Sequence, residues 1–334
     1  MIPEGDRELL TLLPPLRRGR GYRLYAQNGK RYLDLWQQGG WAILGHDPHR
    51  QLLLLKNTLS RGCLGLFPQD HHRRLFQALA SIFPERTFRI YRSFERLEQL
   101  GLWDNRRAST LGEALLMQEE NPWGSPGISA KQERTLLLKE TSTADDVDSV
   151  PQRRGAFILS RLFAQRKNEP LCPMVVWRPF GRKERTFWDT FPVLLLILPT
   201  GGLFQPAVLA VRRDWDEAKF PPSDIIPPPL ETFLVRGIWD IQRATPLEFS
   251  HLFPRTLRVL DDSDLWIRVG PYVWSRSPGP LPRYAPVFKS FLEEGVLLPP
   301  HPALPIILPR EVSKGEDALL ARLFKELLGK RSAP

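Results

Sequence analysis

Eight consecutive residues, Phe191 to Leu198, carry no charge and no polar side chain. A strand built from such a run has no face to give to water, so it must be covered on both sides, as the central strands of a layered sheet are. It is too short to cross a bilayer. Met174 to Trp177 and Ala207 to Val211 have the same character. The three segments together predict the middle of one buried sheet. With 334 residues and 42% apolar content, the chain can bury a large core in two lobes.

Between Tyr22–Tyr25 and Lys30–Trp36, two strand candidates, stands Gln27-Asn28-Gly29, and Asn-Gly between alternating apolar residues is a hairpin signal. Leucines 52, 53, 55 and 59 followed by Gly62 predict a helix over residues 50–61 with a glycine stop. A second helix is expected over 70–82, and a third over 230–243 after the prolines at 227–229. Residues 104–151 turn polar and are expected to be irregular or mobile, 271–286 are proline-rich, and 314–329 predict an amphipathic helix.

Other features narrow the chemistry. Lys and Arg total 47 against 37 acidic residues, a formal charge of +10, but the cations are scattered and form no long basic run. Arginines number 36 and lysines only 11, and an arginine supplies no free amine. Cys63 and Cys172 make no metal or disulfide pattern, and residues 1–6 lack the basic and apolar regions of a secretory signal. His46 and His49 around Asp47, and the pair His71-His72, read as a structural turn and a helix start rather than as metal ligands. The expectation is a cytoplasmic protein with no membrane span, no metal and no specific nucleic-acid partner.

Gly21-Tyr22-Arg23-Leu24-Tyr25, Gly29, Tyr32, Asp34, Trp36 and Gly39-Gly40-Trp41, followed by Gly45-His46-Asp47-Pro48, closely resemble the opening of class III aminotransferases. Phe291 to Pro300 resembles the start of the last part of their C-terminal domain. The resemblance implies an α/β fold of the pyridoxal-phosphate (PLP) fold type I. In that fold a mainly parallel central sheet is flanked by helices, and a small α+β domain forms from both termini. It places the N-terminal part of the small domain at 1–60, the large domain at 61–240 and the C-terminal small domain at 241–334. It also implies a homodimer, with a heteromer containing an intact paralogue as the alternative.

Three stations of the family's chemistry are altered here. Transamination needs a lysine amine to hold the cofactor's aldehyde as an imine. The family's lysine precedes a glycine-rich turn, and aligning that turn on Gly201-Gly202 puts Ile197 or Leu198 in its place. Lys183 and Lys219 are the fallback candidates, each requiring a large shift of register. An acid should face the ring nitrogen, where Trp177 or Arg178 stands before Pro179-Phe180-Gly181. The phosphate turn corresponds to Ser93-Phe94-Glu95, in which Ser93 survives as an N-cap and Phe94 replaces a glycine. Trp41 falls where the family lines its substrate entrance.

The reading is a degenerate aminotransferase-like protein that binds no cofactor and acts as a binding or regulatory subunit. The alternatives are an active PLP enzyme with a displaced lysine and a basic protein that binds polyanions.

Overall fold

Asn28-Gly29 turns the chain as its sequence demands. Gly29 takes φ 83°, the Asn28 side chain accepts from Lys30 N at 3.0 Å, and strands β2 (Arg23–Ala26) and β3 (Arg31–Asp34) pair antiparallel on either side. The computed structural model describes residues 7–62, 70–100, 102, 174–181, 185–189, 191–215, 220–244, 249–263, 265–275 and 281–331. These all fall in one compact unit. Cys63, Cys172, Lys183, Lys219 and the stretch 104–151 lie outside the described residues.

In chain order, α1 (Arg7–Leu10) and β1 (Leu16–Arg20) precede the hairpin. After β3 come a tight turn at Gln37–Gly40, then α2 (His49–Ser60), α3 (Asp70–Ile82), β4 (Arg86–Tyr91) and α4 (Phe94–Gln99). The second half supplies β5 (Met174–Trp177), α5 (Arg185–Asp189), β6 (Val193–Leu196), β7 (Ala207–Arg212), α6 (Pro228–Arg243), α7 (Phe249–Leu252) and α8 (Pro254–Asp261). It ends with β8 (Trp266–Val269), β9 (Tyr272–Ser275), α9 (Leu281–Glu293), β10 (Val296–Leu297), β11 (Ile306–Ile307) and α10 (Lys314–Arg331).

The three apolar runs lie side by side in a sheet of order β4-β7-β6-β5. Its ladders are mixed, β5 with β6 parallel and β7 antiparallel to both β6 and β4. Three strands therefore run one way, and β7, reached by the Gly201-Gly202 turn, runs against them. That turn is too short for a crossover, so the reversal follows from its length.

A second core joins the two ends of the chain. Leu24, Leu33 and Leu35 pack in one cluster with Phe253, Phe288, Phe291 and Phe324, and β10 extends the N-terminal sheet by pairing parallel to β3. Strand β1, where the sequence offers no strand candidate, carries exposed arginines instead of alternating apolar residues. Helix α9 forms inside the proline-rich stretch because Pro282 falls in its first turn, where no N–H is needed, and the burial of Phe288, Phe291 and Leu292 offsets the bond missing at Pro286.

Helix α10 opens with a capping box that also ties the two ends together. Ser313 N donates to Glu316 Oε2 at 2.8 Å, Glu316 N donates to Ser313 Oγ at 3.2 Å, and Arg23 on β2 donates twice to the same carboxylate at 2.8 and 2.6 Å. Burial alone would raise the Glu316 carboxyl, but the bonds from Arg23 and Ser313 outweigh it and hold it down at about 2. The depressed value makes the interaction fully stabilising above the ordinary carboxylate range and lost as pH falls through about 2. Glu316→Gln is expected to cost about 3 kcal/mol at neutral pH, and the gap should close between about pH 4.5 and 2. Urea unfolding across that range checks it, and a gap independent of pH would reject the linkage.

Candidate site at the ends of the central strands

Strands β5 and β6 run parallel with Trp177 beside Leu196, and Ile197 N donates to the Trp177 carbonyl at 3.0 Å. Arg178 and Ile197 therefore leave neighbouring strands at the same level. Both are buried, at 8% and 3% exposure. A Cβ placed on Gly40 would stand 3.3 Å from Arg178 Nη1 and 3.3 Å from Ile197 Cγ2, so the two side chains crowd one point.

The turn that closes over them is strained. Gln37 and Gln38 take φ 46° and 52°, and Gly39 and Gly40 follow at 70° and 106°. Asp34 holds its start by accepting from Trp36 N at 2.8 Å and Gln37 N at 2.9 Å, while its other oxygen meets His46 Nε2 at 2.7 Å. Arg178 holds its far end by donating to the Gly39 carbonyl. The guanidinium also lies 5.8 Å over the Tyr272 ring, whose hydroxyl donates to the Pro179 carbonyl at 2.7 Å. Burial pushes the Tyr272 hydroxyl up, and Arg178 offsets part of that rise.

The glycine turn after β6 packs on the same segment. Thr200 N and Gly201 N both donate to the Trp41 carbonyl at 2.9 Å. Gly201 and Gly202 have φ 58° and 81°; a Cβ on Gly201 would lie 3.2 Å from Pro48, and one on Gly202 would collide with the Gln38 side chain. Both glycines thus make room for the protein's own chain. Leu198 is buried at 1% exposure, and the next carbonyl, Pro199, accepts from Gln51 Nε2 of α2 at 2.8 Å.

Ser93 caps α4, its Oγ accepting from Arg96 N at 3.3 Å. Phe94 points inward at 4% exposure and meets Trp41 edge-on, with ring centroids 5.3 Å apart. Trp41 is itself only 7% exposed, and its Nε1, like Gln37 Oε1, is buried without a hydrogen-bond partner among the described residues. Trp41, Arg178, Ile197, Gly201 and Gly202 thus come together around one segment, and Phe94, next to Ser93, packs on Trp41. The site's sequence-silent members are Gln37, Gln38 and Gln51; the only signal for the first two was the Gly39-Gly40 that follows them.

Among the described residues no three His, Cys, Asp or Glu side chains gather as metal ligands. None of the described helices is long and apolar enough to cross a membrane.

No protein-family model matches the chain. An uncharacterized protein of Treponema pallidum is 27% identical over 304 residues, 90% of this chain and 91% of the relative. An uncharacterized protein of Borreliella burgdorferi is 35% identical over 80 residues, 24% of this chain and 30% of the relative. Solved structures similar to it include an omega-transaminase from Sphaerobacter thermophilus, with TM-score 0.56 and 15% identity over 95% of this chain and 91% of that one. Ornithine aminotransferase from Plasmodium yoelii matches with TM-score 0.59 and 13% identity over 99% of both chains. A PMP-bound aminotransferase from Vibrio fluvialis matches with TM-score 0.59 and 13% identity over 95% and 92%. The chain has the fold of the PLP-dependent aminotransferases of fold type I.

Proposed function

We propose that this aminotransferase-fold chain has lost transamination and acts as a cytoplasmic binding or regulatory subunit. The observation that carries the reading is the pair Arg178 and Ile197 at the matched ends of β5 and β6. PLP, when bound, supplies an electron sink that depends on an amine to hold its aldehyde and an acid to protonate its ring. An isoleucine forms no imine, and a guanidinium opposes protonation of a neighbouring nitrogen. Phe94, packed on Trp41, fills space where the phosphate turn of the resembling family keeps a glycine. The side chains at these three stations do not fit the cofactor.

The test is a spectrum of the purified protein after incubation with PLP and desalting, with and without borohydride. The expected result is a colourless protein with no stoichiometric covalent adduct. A retained visible band, reduced to an adduct that maps to Lys183 or Lys219, would overturn the reading in favour of an active enzyme with a displaced lysine.

The same reading includes self-association, and α2 supports it. Its buried positions are polar, with Gln51 bonded to the carbonyls of Pro199 and Phe233 and Thr58 turned inward. Three of its leucines face out, Leu52, Leu53 and Leu59, exposed at 37%, 49% and 47%, while Leu54 and Leu55 are half-buried. A helix with its apolar face outward is stable in water when a second surface covers it. Sedimentation of the same preparation at twice the chain mass is expected, with Leu53→Glu returning it to a single chain. A wild-type monomer rejects the dimer.

A further inference from the structure

Among the described residues the first sheet ends in an unpaired basic edge. Strand β1 pairs only with β2 among the described residues, and its pairing puts Arg18 opposite Tyr25 and Arg20 opposite Arg23; Tyr25 in turn faces Arg31 on β3. Directly paired residues share a face of a sheet, as do residues two apart on one strand. Arg18, Arg20, Arg23 and Arg31 therefore surround Tyr25 on one face. Glu316 answers Arg23 at 2.6 Å and Arg31 at 3.7 Å. Among the described residues no carboxylate is paired with Arg17, Arg18 or Arg20, all exposed, and Arg18 lies 4.5 Å over the Tyr25 ring. Arg17 sits at an irregularity in the ladder between Leu16 and Arg18.

We propose that the β1 edge takes an acidic extended segment of a partner protein as an added strand. An added strand presents alternate side chains about 7 Å apart, the spacing of Arg18 and Arg20, and brings them beside those arginines on the same face. Its main chain meets the backbone groups that the outer edge of β1 leaves unpaired among the described residues. A second copy of β1 is a poor occupant, because edge-to-edge pairing would set arginines against arginines. The inference goes beyond the loss of transamination and holds whether or not the chain is catalytic, so its test reads a different property.

The probe is a fluorescein-labelled synthetic peptide of about eight residues alternating Glu and Val, a typical strand length. A second peptide has the same charge but proline at the Val positions, which removes the donors a strand needs. Fluorescence anisotropy should show saturable binding of the first peptide. Binding should weaken at least about tenfold for Arg18→Glu/Arg20→Glu, and comparably for the proline peptide. Arg322→Glu, an exposed change on α10, should leave it unaltered. Circular dichroism of each variant confirms that it is folded. Equal binding of both peptides, tighter binding of oligothymidylate than of either, or no binding would each overturn the proposal.

Discussion

Replacing Arg86 by methionine is expected to lower the unfolding free energy by about 4 kcal/mol. The guanidinium is buried at 4% exposure, and among the described residues no carboxylate is bonded to it. Instead it donates to four carbonyls, Pro192 at 3.4 Å, Ala210 at 3.0 Å, Trp188 at 2.7 Å and Phe191 at 2.8 Å. Burial pushes its pKa down to about 10, with Asp189 opposing, so it remains a cation at neutral pH. Its role is to close the corner where α5 ends and β6 begins. Methionine fills much of the same volume but leaves buried carbonyls without a donor, each costing about 1 kcal/mol or more. Arg86→Lys keeps the charge with fewer and less directed donors, and about half the loss is expected. Urea unfolding followed by circular dichroism measures both. A loss below about 1 kcal/mol for methionine would mean that water reaches these carbonyls.

Legibility in the sequence followed burial and period. The runs at 174–177, 193–196 and 207–211 were readable as buried strands because nothing polar interrupts them, although among the described residues β5 stands at the end of the sheet and not in its middle. The Asn28-Gly29 hairpin and the helix at 70–82 were readable from turn chemistry and from Leu75 and Leu79 on one face. The candidate site was legible only as an alignment of glycines. Alignment of Gly201-Gly202 and of Gly181 named Ile197 or Leu198 and Trp177 or Arg178 but gave no reason for any of them to touch; the parallel register of β5 and β6 brings Ile197 and Arg178 together. The strain at Gln37 and Gln38 had no local signal, because glutamine rarely takes positive φ and does so here under constraint from Asp34 and Arg178. Helix α2 misleads in a different way. Its leucines predict a helix correctly, but the fully buried positions, Gln51 and Thr58, are polar, and Gln51 fills the close approach at Gly237, where a Cβ would collide with it. Strand β1 was illegible because an edge strand with one exposed face needs no apolar alternation.

Ile197→Lys is expected to be the most damaging single change at the site, and its pH dependence tests the geometry directly. The side chain enters a cluster made of Trp41, Phe94, Val176, Leu195 and Leu209, so an ammonium there loses its water. Desolvation lowers a buried lysine's pKa by up to about 3–5 units, a penalty of about 4–7 kcal/mol below the folded pKa and of about 4–5 kcal/mol at neutral pH. Arg178, crowding the same point as Ile197 Cγ2, adds like-charge repulsion. Because the folded pKa is depressed, the penalty is fully present below it and shrinks as pH rises toward about 10.4, where the unfolded lysine also loses its proton. Combining it with Arg178→Asp replaces the repulsion by an ion pair, and a double-mutant cycle should then show a favourable coupling of at least about 2 kcal/mol. Strict additivity would show that the ends of β5 and β6 do not meet. A cost below about 1 kcal/mol at every pH would show that water enters beside Ile197, which is the opening a ligand-binding cavity at this point would require.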